Sequence, residues 1–194
     1  MKITNIVVLA SYRTGSTSFC NILSKKYGIY NHDEYFHDHL SRRQIWEKFN
    51  INDLIHKGYV IKIMPDQVRQ PYFDQLIKSS VVYGIFRRNF IDQLTSYIIS
   101  NRGPYWQHQR KGKDRTGYSL KNNYRNSIGH HYDYLKRFNE IFRREFRPLC
   151  HMCYAYEDLV ESKFFEESDY EISNRPVNYL KVRKLVEKFL RDKK

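Results

Sequence analysis

Cysteine is scarce: three residues in 194, Cys20, Cys150 and Cys153. An odd, small set cannot close a disulfide framework, so all three read as reduced thiols of a cytoplasmic protein. Long apolar runs are missing as well. Nothing approaches the roughly 20 residues of a membrane span, and the opening MKITNIVVLASYRTG turns polar at Tyr12 and Arg13 before it could serve as a secretory signal. Repeats, low-complexity tracts and linkers are absent too, which leaves one domain over residues 1–194 as the expectation. At this length folding buries enough surface for a core without disulfide or metal staples. Acidic side chains are in deficit: 21 Asp and Glu against 34 Lys and Arg give a net charge of +13. That balance points to an anionic partner such as a nucleotide, nucleic acid, acidic glycan or membrane surface, and says nothing about fold.

What is present alternates. The segment Ile3 to Ala10 is apolar on successive residues, as a strand buried on both faces of a parallel sheet would be. Tyr59 to Met64 and Val81 to Phe86 are similar, and Leu149 to Tyr156 is a less regular fourth. Between them Gly15 to Lys26, Asp66 to Lys78 and Ile91 to Ile99 carry helical periodicity. Strand alternating with helix predicts an α/β fold with right-handed crossovers. The stretch at about 101–124 is polar, basic and aromatic without a period, and reads as a lid-like loop. Beyond Pro176, Tyr179, Val182, Val186 and Leu190 form one helical stripe.

The most informative local sequence is Ala10-Ser-Tyr-Arg-Thr-Gly-Ser-Thr-Ser18, at the hand-over from first strand to first helix. Glycine with small hydroxyl residues lets backbone N–H groups converge on an anion, a helix N-terminus adds its positive end, and Arg13 adds a fixed cation. A Walker A loop would need a glycine five residues before Gly15 and a lysine after it, and neither is there; GxGxxG is missing as well. Simple helix capping by Thr14 to Ser18 explains the same residues about equally well when they are taken alone.

YRTGSTS resembles the 5′-phosphosulfate loop, P-[KR]-[ST]-G-[ST]-[ST], of sulfotransferases that use 3′-phosphoadenosine 5′-phosphosulfate (PAPS), with Tyr12 in place of the proline. Phe86-Arg-Arg-Asn-Phe-Ile-Asp-Gln-Leu-Thr-Ser96 is similar to that family's 3′-phosphate site, R-[ND]-x6-S, through Arg88 and Ser96. Tyr154-Ala-Tyr-Glu-Asp-Leu-Val160 resembles its YEDL segment, a fold marker whose acids more readily cap a helix or hold the core than touch substrate. Asn31-His-Asp-Glu-Tyr-Phe36 is similar to the segment of the trehalose 2-sulfotransferase-like branch that carries a glutamate base, although the proline is missing and Gly28 stands further off. Gln93 and Trp106 are weaker likenesses to that branch. The position that holds a catalytic histidine in cytosolic sulfotransferases is Met64 here, two residues after Lys62, and the C-terminal RKG element is absent.

The resemblance spans roughly Ile3 to Val160 in the family's order. It implies a three-layer sandwich with a central parallel sheet of the P-loop-nucleotide-hydrolase-like kind, PAPS as co-substrate without a metal, and transfer of a sulfuryl group to a hydroxyl-bearing acceptor, a carbohydrate or glycolipid by the Glu34 likeness. It also implies PAPS-binding roles for Arg13, Thr14, Gly15, Ser16, Thr17, Ser18, Arg88 and Ser96, and catalytic roles for Glu34, Arg13 and Lys62.

Two other classes fit parts of the sequence. A nucleic-acid-binding module would use the net charge and the aromatic and basic residues from Trp106 to Arg115, and a nucleotide kinase would use a non-Walker anion loop. Cys150-His-Met-Cys153 has the spacing of a zinc or redox motif, but no second CxxC or paired histidine completes a metal set, and the segment reads as a buried strand. His32, His37 and His39 cluster near Glu34, and His130-His131 begins a helix; all read as solvated side chains.

Overall fold

The computed structural model describes residues 5–32, 58–67, 70–102, 124–167 and 179–193. The chain divides into two compact units, residues 1–88 with 138–171 and residues 89–137 with 172–194.

The first unit is built on a five-stranded parallel sheet in the order β2-β3-β1-β4-β5. Its strands are β1 (Asn5–Ala10), β2 (Tyr30–Asn31), β3 (Tyr59–Ile63), β4 (Val81–Phe86) and β5 (Met152–Ala155). β1 is central, with Val7 opposite Ile61 on one side and Val82 on the other. Because side chains alternate across a strand, each strand feeds two cores. Val7, Leu9, Tyr59, Ile61, Ile63 and Val82 pack on one face with Phe73 and Leu76 of α2 (Tyr72–Lys78) and with Phe142 and Phe146 of a π-helical turn. Ile6, Val8, Ala10, Val60, Tyr83 and Ile85 pack on the other with Phe19, Ile22 and Leu23 of α1 (Ser16–Tyr27) and Leu159 of α5 (Tyr156–Glu161). Helices therefore cover both faces, which is why these strands are apolar on successive residues.

The described residues of the second unit are helical. They form α3 (Phe90–Arg102), the part of α4 (Tyr124–Ile141) up to Arg137, and α6 (Tyr179–Asp192). Rings join them: Phe90 and Phe189 each meet Tyr132 edge-on, with centroids 5.6 and 5.8 Å away, and Tyr97 stacks on Tyr134 at 5.8 Å. Of the predicted stripe on α6, Tyr179, Val182 and Val186 are buried and Leu190 is half-buried.

The α/β alternation agrees with the sequence reading, with three differences. The predicted helix from Asp66 to Lys78 is two pieces, a 3-10 turn at Pro65–Gln67 and then α2, because Pro71 has no N–H to continue a helix and stands at the start of α2. The short edge strand β2 was not predicted; two residues are too few to show a period. The fourth strand is shorter than Leu149 to Tyr156, since Arg147–Leu149 coils into a 3-10 turn and Tyr156 opens α5. The lid-like loop lies, apart from its first two residues and Tyr124, outside the described residues, as do Glu34, His37, His39 and Trp106. Among the described residues no helix is long and apolar enough to cross a membrane.

Candidate functional site: the loop after the first strand

The chain leaves β1 toward β2 on one side of the sheet and leaves β4 toward β5 on the other. The carboxyl ends of β1 and β4, which are neighbours, thus mark the point where connections diverge, the usual place for a ligand in an open α/β sheet. Residues 11–15 and 87–88 sit at these two strand ends.

The loop after β1 is held by its own residues. Thr14 is fully buried and donates its hydroxyl to the Ser11 carbonyl at 3.0 Å. Ser11, also buried, donates to Asn139 Oδ1 at 2.5 Å. Tyr12, standing where the resemblance expects proline, anchors the loop differently: its hydroxyl donates to Asp66 Oδ2 at 2.8 Å and its ring meets Phe138 edge-on at 5.7 Å. Proline stiffens by fixing φ; tyrosine here does so by tying the loop to the turn after β3.

Arg13 and Gly15 both have left-handed backbones, with φ of 58° and 74°. At residue 15 glycine is favoured twice over, by this backbone and because a Cβ there would lie 2.6 Å from Cδ2 and 2.7 Å from Cε2 of Tyr156. Gly15 is also the N-cap of α1, so the N-cap residue has no side chain to offer, and the first turn contains no acid. Of the residues that could cap from the sequence, Thr14 turns back to the Ser11 carbonyl rather than into the helix. The N-terminus of a twelve-residue helix favours an anion.

Lys62 joins this turn from β3. Its side chain is 1% exposed, on the sheet face that packs against α1, and Nζ donates to Thr17 Oγ1 at 2.6 Å. An ammonium in the protein interior is costly unless its surroundings answer it. Here it is delivered to the hydroxyl in the first turn of α1, so cation, hydroxyl and helix amides share one spot. Ser16 is buried and Ser18 half-buried on the same turn.

At the end of β4 two arginines follow one another with different roles. Arg88 is more than half exposed and paired with Asp158, and its backbone N–H donates to Glu157 Oε2 at 3.1 Å. Arg87 is 15% exposed. It lies over the Tyr156 ring, 4.6 Å from the centroid, faces Glu157 at 3.8 Å, and donates through Nη1 to the Arg13 carbonyl at 3.2 Å. Arg87 therefore braces the loop after β1, a role that sequence reading missed; the doubled arginine in Phe86-Arg-Arg-Asn was its only signal. In a trans peptide the C=O and N–H point opposite ways, so fixing the Arg13 carbonyl toward Arg87 turns the Thr14 N–H away from it. The acids of the YEDL-like segment stand in the first turn of α5 and hold these arginines, which accords with a structural reading of them.

In the second unit, Asn89 caps α3: its Oδ1 accepts the Asp92 N–H at 3.1 Å while its Nδ2 donates to Asp92 Oδ2 at 3.0 Å. Ser96 lies half-buried two turns along that helix, and Gln93 is fully buried. Among the described residues, no group of three or more His, Cys, Asp or Glu side chains is arranged to hold a metal. No protein-family model matches this chain, and a comparison with curated proteins gives no match.

Proposed function

We propose that this protein is a sulfotransferase that moves the sulfuryl group of PAPS to an acceptor hydroxyl, on a P-loop-nucleotide-hydrolase-like sulfotransferase fold. The observation that carries the reading is the meeting of the buried Lys62 ammonium with Thr17 in the first turn of a helix whose N-cap is glycine, directly after the left-handed turn of Arg13 and Gly15. These donors suit an anionic group. The 5′-phosphate of the nucleotide is held by the amides of Thr14 to Thr17, by the hydroxyls of Ser16, Thr17 and Ser18, and by Lys62. Sulfuryl transfer resembles phosphoryl transfer: the acceptor oxygen attacks sulfur, the S–O bond to the phosphate breaks, and negative charge grows on the leaving oxygen. Arg13 and Lys62 offset that charge, and one such donor contributes about 3 to 4 kcal/mol to lowering a barrier. Glu34 removes the acceptor proton; this role rests on the sequence resemblance. Arg88 at the end of β4 receives the 3′-phosphate in exchange for Asp158, and Ser96 enters the reading through the resemblance alone. A carbohydrate hydroxyl is the acceptor that the same resemblance favours.

Calorimetric titration with adenosine 3′,5′-bisphosphate tests the reading. Saturable binding that weakens when adenosine 5′-monophosphate replaces it supports a site for both phosphates, and transfer of labelled sulfate from PAPS to a sugar panel then identifies the acceptor. No binding of the bisphosphate, or hydrolysis of ATP with Mg²⁺ instead, refutes it. Tight, steeply salt-dependent binding of RNA or DNA with none of the bisphosphate would favour a nucleic-acid module.

A further inference from the structure

Residues three apart in a regular strand point to opposite faces of the sheet. Cys150 and Cys153 do not. Between them His151 makes a bend before β5: its N–H donates to the Val82 carbonyl at 2.8 Å, and its ring Nδ1 accepts the Val82 N–H at 3.0 Å. An imidazole nitrogen thus stands where the carbonyl of a neighbouring strand would otherwise accept, and regular alternation resumes only at Met152. Both thiols consequently meet over β4. A Cβ placed on Gly84 would lie 2.7 Å from the sulfur of Cys150 and 2.7 Å from the sulfur of Cys153, so glycine at this position is what leaves room for the two side by side. Gly84 is the register partner of Cys153, and both cysteines are half-buried thiols.

We propose that Cys150 and Cys153 are a redox-active pair that closes reversibly to a disulfide by exchange with a small-molecule disulfide. The pair is asymmetric. The Cys150 thiol has two acceptors within reach, the Cys153 sulfur and the Phe146 carbonyl at 3.3 Å, and its hydrogen bond to Cys153, aided by burial, raises its pKa. The same bond lowers the pKa of Cys153; the Arg147 charge acts in that direction too, against burial. Cys153 is therefore the nucleophile and Cys150 the resolving thiol. In the first step the Cys153 thiolate attacks one sulfur of glutathione disulfide, forming a mixed disulfide and releasing one glutathione thiolate. Cys150 then loses its proton to solvent and attacks the Cys153 sulfur, expelling the second glutathione. The two protein thiols are oxidised by two electrons, and one glutathione disulfide is reduced to two thiols. This assignment does not depend on the sulfotransferase reading.

The test incubates the reduced full-length protein with glutathione disulfide, alkylates what remains and reads the tryptic peptide carrying both cysteines by mass spectrometry. Loss of both alkylations with a peptide two hydrogens lighter, reversed by dithiothreitol, is expected, with Cys20 unchanged. In Cys150→Ser the reaction should stop at a glutathione adduct on Cys153. The wild-type protein should also bind one equivalent of phenylarsine oxide, which bridges two adjacent thiols, and either serine variant should lose that binding. The proposal is overturned if Cys150 and Cys153 of the wild-type protein still alkylate fully, if the wild-type reaction halts at a mixed disulfide, or if Cys20 supplies one of the joined sulfurs. The wild-type experiment alone decides the matter should a variant fail to fold.

Discussion

Replacing Gly15 by alanine probes the seating of the loop after β1 most directly, because two separable costs converge there. The left-handed backbone, φ 74°, costs a non-glycine residue about 1 to 2 kcal/mol. The new methyl would also lie 2.6 to 2.7 Å from the Tyr156 ring, and such overpacking typically costs about 1 to 3 kcal/mol, since ring or backbone must shift. A total of roughly 3 kcal/mol lowers the melting temperature of a chain this size by about 6 to 12 °C. The two parts are separated by a double-mutant cycle with Tyr156→Ala. Removing the ring abolishes the overlap but leaves the backbone strain, so Gly15→Ala in that background should cost only about 1 to 2 kcal/mol. Urea unfolding followed by circular dichroism measures all four proteins. Equal costs of Gly15→Ala with and without the ring would show that Tyr156 does not seat the loop, and the account of why glycine stands there would be wrong.

Further outcomes follow from the structure and, for Glu34, from the sequence resemblance. Lys62→Met should lower kcat for sulfuryl transfer by about 100- to 1,000-fold, the worth of one well-placed donor; an unchanged kcat would remove the Lys62–Thr17 contact from catalysis. Arg88→Ala should leave stability within about 1 kcal/mol, because its pair with Asp158 is exposed, while weakening adenosine 3′,5′-bisphosphate binding in titration. Loss of stability without loss of binding would contradict its proposed role. Glu34→Gln should slow turnover and leave nucleotide affinity intact, and a fully active variant would exclude Glu34 as the base. Finally, burial raises the pKa of Tyr59 above its ordinary 10.0, against hydrogen bonds with Ser80 and Ser79 that lower it, and burial likewise raises that of Tyr83. Above pH 10 the unfolded chain releases these protons while the folded chain keeps them, so folding stability present below pH 10 should fall by up to about 1.4 kcal/mol per pH unit for each group. Urea midpoints between pH 9 and pH 11 measure this, and Tyr59→Phe should flatten the decline; a flat wild-type curve would refute it.

Much of the scaffold was legible in the sequence. Runs such as Ile6 to Ala10 and Val81 to Phe86 are apolar on successive residues because helices cover both sheet faces, and that pattern survives in a linear string. The place of the loop after β1 was legible for a similar reason: Gly15, the hydroxyl residues and Arg13 are contiguous, and contiguity brings their backbones together at the opening of α1. Tertiary structure alone decided the rest. Lys62 could be suspected from its strand end, but only pairing of β3 beside β1 delivers its ammonium to Thr17. Arg87 rather than the motif's Arg88 grips the Arg13 carbonyl, a choice made by the packing of Tyr156 and Glu157 from a segment some seventy residues further along the chain. Cys153 lies in a strand, as the sequence reading has it, but Cys150 stands before that strand, so the period-2 pattern that would place the two on opposite faces does not reach both. The His151 imidazole interrupts that pattern by replacing a backbone carbonyl, and local spacing carries no trace of a bond made across the sheet.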